Sequence, residues 1–260
     1  MPPRFSLSGA LAAGLLCLAG ACNADEAAPE LGLMGTIPIY WGESDGFGEL
    51  LSGGGSGHWA RARLETQYTL QPLDTLSEES LAGLEYLMLA QPRPLSAEEN
   101  VALDAWVRGG GKLLLFADPL LTGESRFAIG DRRRPQDVIL LSPILGHWGL
   151  ALEFDDDQPA GYAMARTAGA PLPVNLAGSF TARDGEGDCT IEAGGVLAEC
   201  AIGAGRAVVL ADAALLDLHE VHPGAPAAFD WLLAQSFERA GENAGRRLLL
   251  RIAANHINDL

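Results

Sequence analysis

Tyr86–Pro119, YLMLAQPRPLSAEENVALDAWVRGGGKLLLFADP, carries the reading of the fold. Tyr86–Ala90 is an unbroken apolar run, as expected of a strand covered on both faces, and Gln91-Pro92-Arg93-Pro94 breaks it. Ser96 then stands as an N-cap with Glu99 three residues later, a capping box. Val101, Leu103, Trp106 and Val107 supply an apolar helix face, and Gly109-Gly110-Gly111 ends the helix. KLLLFAD, Lys112–Asp118, is a second buried strand. Strand, helix and strand with such short joins form a parallel pair with a right-handed crossover.

The same alternation continues outward. Upstream, LMGTIPIYW (Leu33–Trp41) reads as a buried first strand ending at Gly42-Glu43, followed by a glycine-rich loop to Gly57. HWARARLETQ (His58–Gln67) reads as a short helix and YTLQPLDTL (Tyr68–Leu76) as a second strand. Ser77 caps the next helix, with acids in its first turn, where the helix dipole favours them. Downstream, Pro119 to Asp137 is polar and irregular, with a basic cluster at Arg132-Arg133-Arg134. DVILLSPILGHWG (Asp137–Gly149) reads as a helix interrupted at Pro143, LALEF (Leu150–Phe154) as a strand and Asp155-Asp156-Asp157 as a solvated turn. GRAVVLAD (Gly205–Asp212) is another buried strand, and AAFDWLLAQSFERA (Ala227–Ala240) a closing amphipathic helix. The order predicts a three-layer α/β domain with a mostly parallel sheet.

The N-terminus reads as an export signal: Arg4, an apolar run from Leu7 to Leu18, then small residues before a polar stretch. The run is shorter than the roughly 20 residues a membrane helix needs, and no second segment approaches that length. Ala19-Gly20-Ala21-Cys22 resembles a bacterial lipobox, which would make Cys22 the lipidated residue; plain cleavage after Ala21 or Ala24 is the alternative. The predicted organisation is a signal over 1–22, a linker over 23–32, one α/β domain over 33–242 and a tail over 243–260, with a β-rich insertion at about 160–202. The expected location is the periplasm, with a lipid anchor to a bacterial membrane.

Cysteine usage fits an oxidising compartment. Cys189 and Cys200 flank TIEAGGVLAE, and Gly194-Gly195 suits a two-residue hairpin turn. Counting outward pairs Ala193 with Val196, Ile191 with Ala198 and Cys189 with Cys200, the last as a hydrogen-bonded pair within disulfide reach. Two free buried thiols are the alternative to a disulfide.

Charge excludes some partners. The net charge is −17 and Lys112 is the only lysine, so the surface repels phosphate backbones and no nucleic-acid partner is expected. ELLSGGGSGHWARARLE (Glu49–Glu65) looks like nucleotide chemistry, with an LSGG tetrad. A phosphate loop, however, needs G-x-x-x-x-G-K-[ST] running from a strand into a helix. Lys112 is followed by Leu113 and runs from a helix into a strand, so neither a nucleotide nor any other cofactor is expected. The turn after the Lys112–Asp118 strand offers Asp118 and Pro119 where a nucleophile elbow would place Ser or Cys. Gly54-Gly55-Ser56-Gly57 lacks that motif's spacing.

Two sets of residues remain as candidates. Glu43, Asp118 and Asp212 each follow a predicted strand, so parallel strands would align them on the carboxyl edge, where α/β sheets bind ligands. There they are acid/base or cation-holding candidates, or they cap the turns that follow. Asp217, His219 and His222 in DLHEVHPG are a weaker metal-ligand set, and Pro223-Gly224 suggests a surface turn.

Tyr86–Pro119 resembles the core of GldG-like auxiliary domains of ABC-type transporters: a strand, a Pro-containing turn, LS-x-E-E opening a helix, then GG-K and a strand ending in Asp-Pro. GAGRAVVLADAALL (Gly203–Leu216) is similar to that family's closing strand and to related glutamine-amidotransferase-like domains, and LSPILGHWGLALE fits the segment between. The resemblance implies a flavodoxin-like, class I glutamine-amidotransferase-like sheet in a noncatalytic extracytoplasmic domain. It implies a membrane complex as partner, an ABC permease among the candidates, and a structural role for Lys112, Asp118, Pro119 and Asp212. The rival expectation is a hydrolase using Glu43, Asp118 and Asp212, with or without metal.

Overall fold

The structure is a computed structural model that describes residues 27–43 and 57–237. The predicted signal and lipobox with Cys22, the 243–260 tail and most of the glycine-rich loop lie outside the described residues. A seven-stranded sheet organises the chain. Its strands are β1 (Glu30–Gly35), β2 (Thr69–Pro72), β3 (Tyr86–Ala90), β4 (Lys112–Phe116), β9 (Asp188–Glu192), β10 (Leu197–Ile202) and β11 (Gly205–Leu210), in the order β2-β1-β3-β4-β11-β10-β9. From β2 to β11 neighbours are parallel, and the β11-β10-β9 end is antiparallel. The mixed, mostly parallel sheet agrees with the expectation.

The apolar runs explain the layering. In β3, Met88 and Ala90 face one core and Leu87 and Leu89 the other; in β4, Leu114 and Phe116 oppose Leu113 and Leu115. Side chains alternate across a strand, so a run with no polar position needs cover on both faces. One face is covered by α1 (Trp59–Leu64) and α5 (Ala225–Phe237), which contribute Leu64, Phe229 and Leu232. The other is covered by α2 (Glu78–Leu81), α3 (Ala97–Arg108) and α4 (Ser142–His147), through Leu81, Leu103, Val107 and Ile144. Each Leu or Phe buried completely in these two cores contributes about 2 kcal/mol.

Ser96 and Glu99 form the predicted capping box, with bonds of 3.2 and 2.8 Å to each other's backbone N–H. Glu99 also receives Arg93 at 2.7 and 2.8 Å, which holds its carboxyl at about 2.

Several boundaries differ from the sequence reading. The first strand begins inside the predicted linker, at Glu30, and ends at Gly35, so Glu43 lies eight residues beyond its end. Pro38 has no N–H for a ladder, which suits a strand that stops before it. Pro143 occupies the first turn of α4 and so opens that helix instead of interrupting one. Val101 is 70% exposed, so the inward face of α3 is Leu103 and Val107 with the Glu99 stem.

Between Leu150 and Ala182 the chain adds two antiparallel ribbons to the hairpin, the first starting ahead of the predicted 160–202 insertion. They are β5 (Leu150–Glu153) with β8 (Ser179–Ala182), and β6 (Tyr162–Ala165) with β7 (Leu172–Asn175). Cys189 and Cys200 are bonded in the predicted register, with Ile191 opposite Ala198. The turn is wider than expected: Ala193–Gly195 is a single 3-10 turn with positive φ at all three residues, and Ala193 does not pair with Val196. Ala211 N donates to Val196 O, so residues 196, 198 and 200 turn their peptides toward β11. The cysteines therefore form a non-hydrogen-bonded pair, as their Cα–Cα distance of 4.0 Å also indicates.

Candidate functional site

The carboxyl ends of β3, β4 and β11 converge on a buried polar knot. Gln91 follows β3 directly and takes a positive φ of 49°, uncommon for a residue with a side chain. Its amide is held at both ends: Oε1 accepts from Asp118 N at 2.8 Å, and Nε2 donates to Asp118 O and Gln136 O at 2.9 and 3.0 Å. The Gln91 carbonyl accepts the Thr36 hydroxyl at 2.5 Å, and Thr36 Oγ1 accepts from Gln136 N at 2.8 Å. The Gln91 side chain thus joins the ends of β3 and β4 to the loop that returns through Gln136, and the Thr36 hydroxyl adds the end of β1 through the Gln91 carbonyl.

Asp118 and Asp212 follow the neighbouring strands β4 and β11, and neither is exposed to solvent. Asp118 Oδ1 accepts from Leu120 N at 2.8 Å and Oδ2 from Ala213 N at 2.9 Å. Asp212 Oδ1 accepts from Ala214 N at 2.8 Å and Oδ2 from Asn175 N at 2.9 Å. Each of the four carboxyl oxygens receives a backbone N–H. Asp118 caps its own turn and clamps the one after β11, whereas Asp212 caps its own turn and clamps the end of β7. Burial pushes the Asp118 carboxyl up to about 6. Burial, reinforced by the neighbouring Asp118 charge, pushes Asp212 well above the usual carboxylate range.

Glu43 makes its bonds elsewhere. Its carboxylate accepts the Ser125 hydroxyl at 2.6 Å and Arg126 N at 2.9 Å, while Arg126 Nη1 donates to the Glu43 carbonyl at 2.9 Å. His219 Nε2 lies 3.7 Å away. A cleft of about 30 Å³ lies beside Glu43, Ala213 and Asp217, room for about one water. The predicted trio therefore divides into an adjacent Asp118–Asp212 pair and a Glu43 that fastens the 123–127 loop.

Asp217, His219 and His222 form a turn. Asp217 Oδ1 accepts from His219 N and Glu220 N at 2.8 and 3.0 Å, and His222 Nδ1 accepts from Gly224 N at 3.0 Å. Their ligand atoms do not gather at metal-binding distances; among the described residues only the exposed Asp155-Asp156-Asp157 cluster does. Lys112, at the opposite end of β4, donates to Glu85 at 2.7 Å and to Phe237 O at 3.2 Å.

Two residues escaped the sequence reading. Gln91 was legible only as the residue that breaks an apolar strand. His58 is buried at the N-cap of α1, where Nδ1 accepts from Ala60 N at 3.1 Å and Nε2–H donates to Leu216 O at 2.8 Å. Both nitrogens serve the neutral ring, and burial lowers its pKa to about 4. Nothing in the local sequence distinguishes it from a surface histidine.

The profile of a family described as an ABC-type uncharacterized transport system matches residues 54–163. The auxiliary-domain resemblance of Tyr86–Pro119 therefore holds over that segment, while Gly203–Leu216 lies beyond it. No curated relative matches the chain. Among solved structures, the chain is similar to exo-β-1,4-mannosidase Op5Man5 from Opitutaceae bacterium strain TAV5 at 16% identity and a TM-score of 0.42, covering 81% of this chain and 34% of that one. It is similar to a cold-adapted β-galactosidase from Rahnella sp. R3 at 12% identity and a TM-score of 0.46, covering 80% and 31%. A ThuA-like protein from Bacteroides uniformis is 9% identical with a TM-score of 0.37, covering 81% and 94%. The chain spans about a third of the length of the two glycosidases.

Proposed function

We propose that this chain is a noncatalytic, exported auxiliary domain of an ABC-type transport or gliding-type membrane complex, binding a protein or small ligand at the carboxyl edge of its sheet. The observation that carries the noncatalytic reading is Gln91. At the one positive-φ turn directly after a central parallel strand, where a nucleophile elbow would present Ser or Cys, stands an amide with both ends engaged. The family match over residues 54–163 supports the transport association. The parallel order β2-β1-β3-β4-β11 supports a flavodoxin-like reading of the sheet, because it follows the 2-1-3-4-5 doubly wound pattern. We further propose lipid anchoring through Cys22.

Co-purification from bacterial membranes tests the association: a permease should accompany the wild-type chain, and its repeated absence would reject it. Palmitate labelling should be lost in Cys22→Ala if the anchor is correct. The rival hydrolase reading draws on the paired, upward-shifted carboxyls of Asp118 and Asp212, a signature that active sites share. Their complete burial and backbone caps favour structure. Bound metal in the purified protein, or hydrolysis abolished by a well-folded Asp118→Asn, would restore the enzyme reading.

A further inference from the structure

A groove of about 1210 Å³ runs along the outward side of α3, with the α2 turn as its other wall. The α3 wall consists of Ala97, Val101 and Ala105, four residues apart, and Gly109 continues the line. Residues at that spacing form one ridge along a helix. Leu81 and Leu84 stand across from it, and Trp106 forms the floor. The Trp106 indole donates to Leu84 O at 3.0 Å, and its ring lies so close to Gly111 that a Cβ there would come within 2.5 Å. The floor is therefore preformed. The rim carries Glu78, Glu85 and Glu98, and no Lys or Arg lines the groove. Glu85 shares its charge with Lys112 and Glu98 accepts a Ser96 hydroxyl, which leaves the rim net negative.

We propose that this groove receives an amphipathic α-helix of a partner protein, with Lys or Arg flanking its apolar stripe. The small residues on α3 allow close approach of a second helix, about 8 Å between axes, and the ridge offers anchors at the spacing that helix-in-groove recognition uses. The twelve residues of α3 give about 18 Å of contact, roughly three turns. Charge selects the occupant. A second copy of this chain would set Glu78, Glu85 and Glu98 against the same carboxylates within a protein of net charge −17, whereas a cationic helix meets complementary charge.

Fluorescence anisotropy with labelled Leu/Ala/Lys helical peptides of about 18 residues, and with their Leu/Ala/Glu counterparts, tests this on the full chain. The Lys peptide should bind saturably and at least ten times more tightly than the Glu peptide, and salt should weaken it. Ala105→Gln, which fills the groove, should reduce binding at least tenfold with unchanged circular dichroism. Glu78→Lys with Glu98→Lys should reverse the preference. Failure of the Lys peptide to bind, equal binding of both peptides, or indifference to Ala105→Gln would overturn the proposal. So would a dimer in sedimentation velocity that Ala105→Gln dissociates, because the occupant would then be a second copy.

Discussion

At the carboxyl edge of β3, β4 and β11, the polar side chains of Gln91, Asp118 and Asp212 are buried and fully hydrogen-bonded. Along the outward side of α3 the reverse holds: an apolar ridge with Val101 70% exposed stands open beneath a carboxylate rim. The edge is where α/β sheets usually recruit ligands, yet here these three side chains hold the strand ends together, so ligand contacts at that edge fall to groups other than Gln91, Asp118 and Asp212. The exposed ridge of Ala97, Val101 and Ala105 packs against nothing among the described residues and has a shape that a partner could use. Position in a fold suggests where function sits, but only the state of the hydrogen bonds tells whether a polar cluster is available for it.

The strongest way to break this contrast is Gln91→Leu. It leaves Asp118 N, Asp118 O and Gln136 O without their amide partner in a buried site, and should destabilise the fold by about 3–5 kcal/mol in urea unfolding. A loss under about 1 kcal/mol would mean that the knot is not structural.

The pH dependence sharpens the same point. His58 titrates at about 4 in the fold against 6.5 unfolded, so the stability linked to it is full above pH 6.5 and is lost as pH falls toward 4. Asp118 titrates at about 6 against 3.8, so its penalty is full above pH 6 and is relieved as pH falls toward 4. The signs oppose, and the raised Asp212 acts in the same direction as Asp118. Between pH 4.5 and 6.5, Asp118→Asn should therefore lose stability on acidification more steeply than the wild type. His58→Gln should lose less than the wild type or gain. Parallel slopes for the two variants would refute the assignment.

Ser96→Ala removes the cap of α3, the wall of the groove, and should lower stability by about 1 kcal/mol. Val101→Lys should change it by no more than about 0.5 kcal/mol, which unfolding midpoints can resolve. A much larger loss would show that Val101 packs against something other than solvent.

Much of this was legible in the residues. Tyr86–Ala90 and Lys112–Phe116 were visible as strands because an apolar run with no polar position has only a doubly covered sheet to occupy. Ser96 with Glu99 marked the start of α3 through local hydrogen bonds alone. The cysteine register survived a wrong turn because a two-residue and a four-residue loop place Cys189 and Cys200 opposite each other equally well. What failed depended on contacts distant in sequence. Gln91 reaches Asp118 across 27 positions and His58 reaches Leu216 across 158. The outward turn of Val101 depended on where the rest of α3 found its core, which an apolar count cannot decide.

The two rims of the sheet are built differently, and the β2 rim offers a newcomer little purchase. At one end lies β2, four residues long and closed by Pro72, which brings no N–H to a ladder. At the other, β9 is stapled to β10 through Cys189–Cys200. A visiting protein that tried to lengthen the sheet from the β2 side would find a short border with one donor missing.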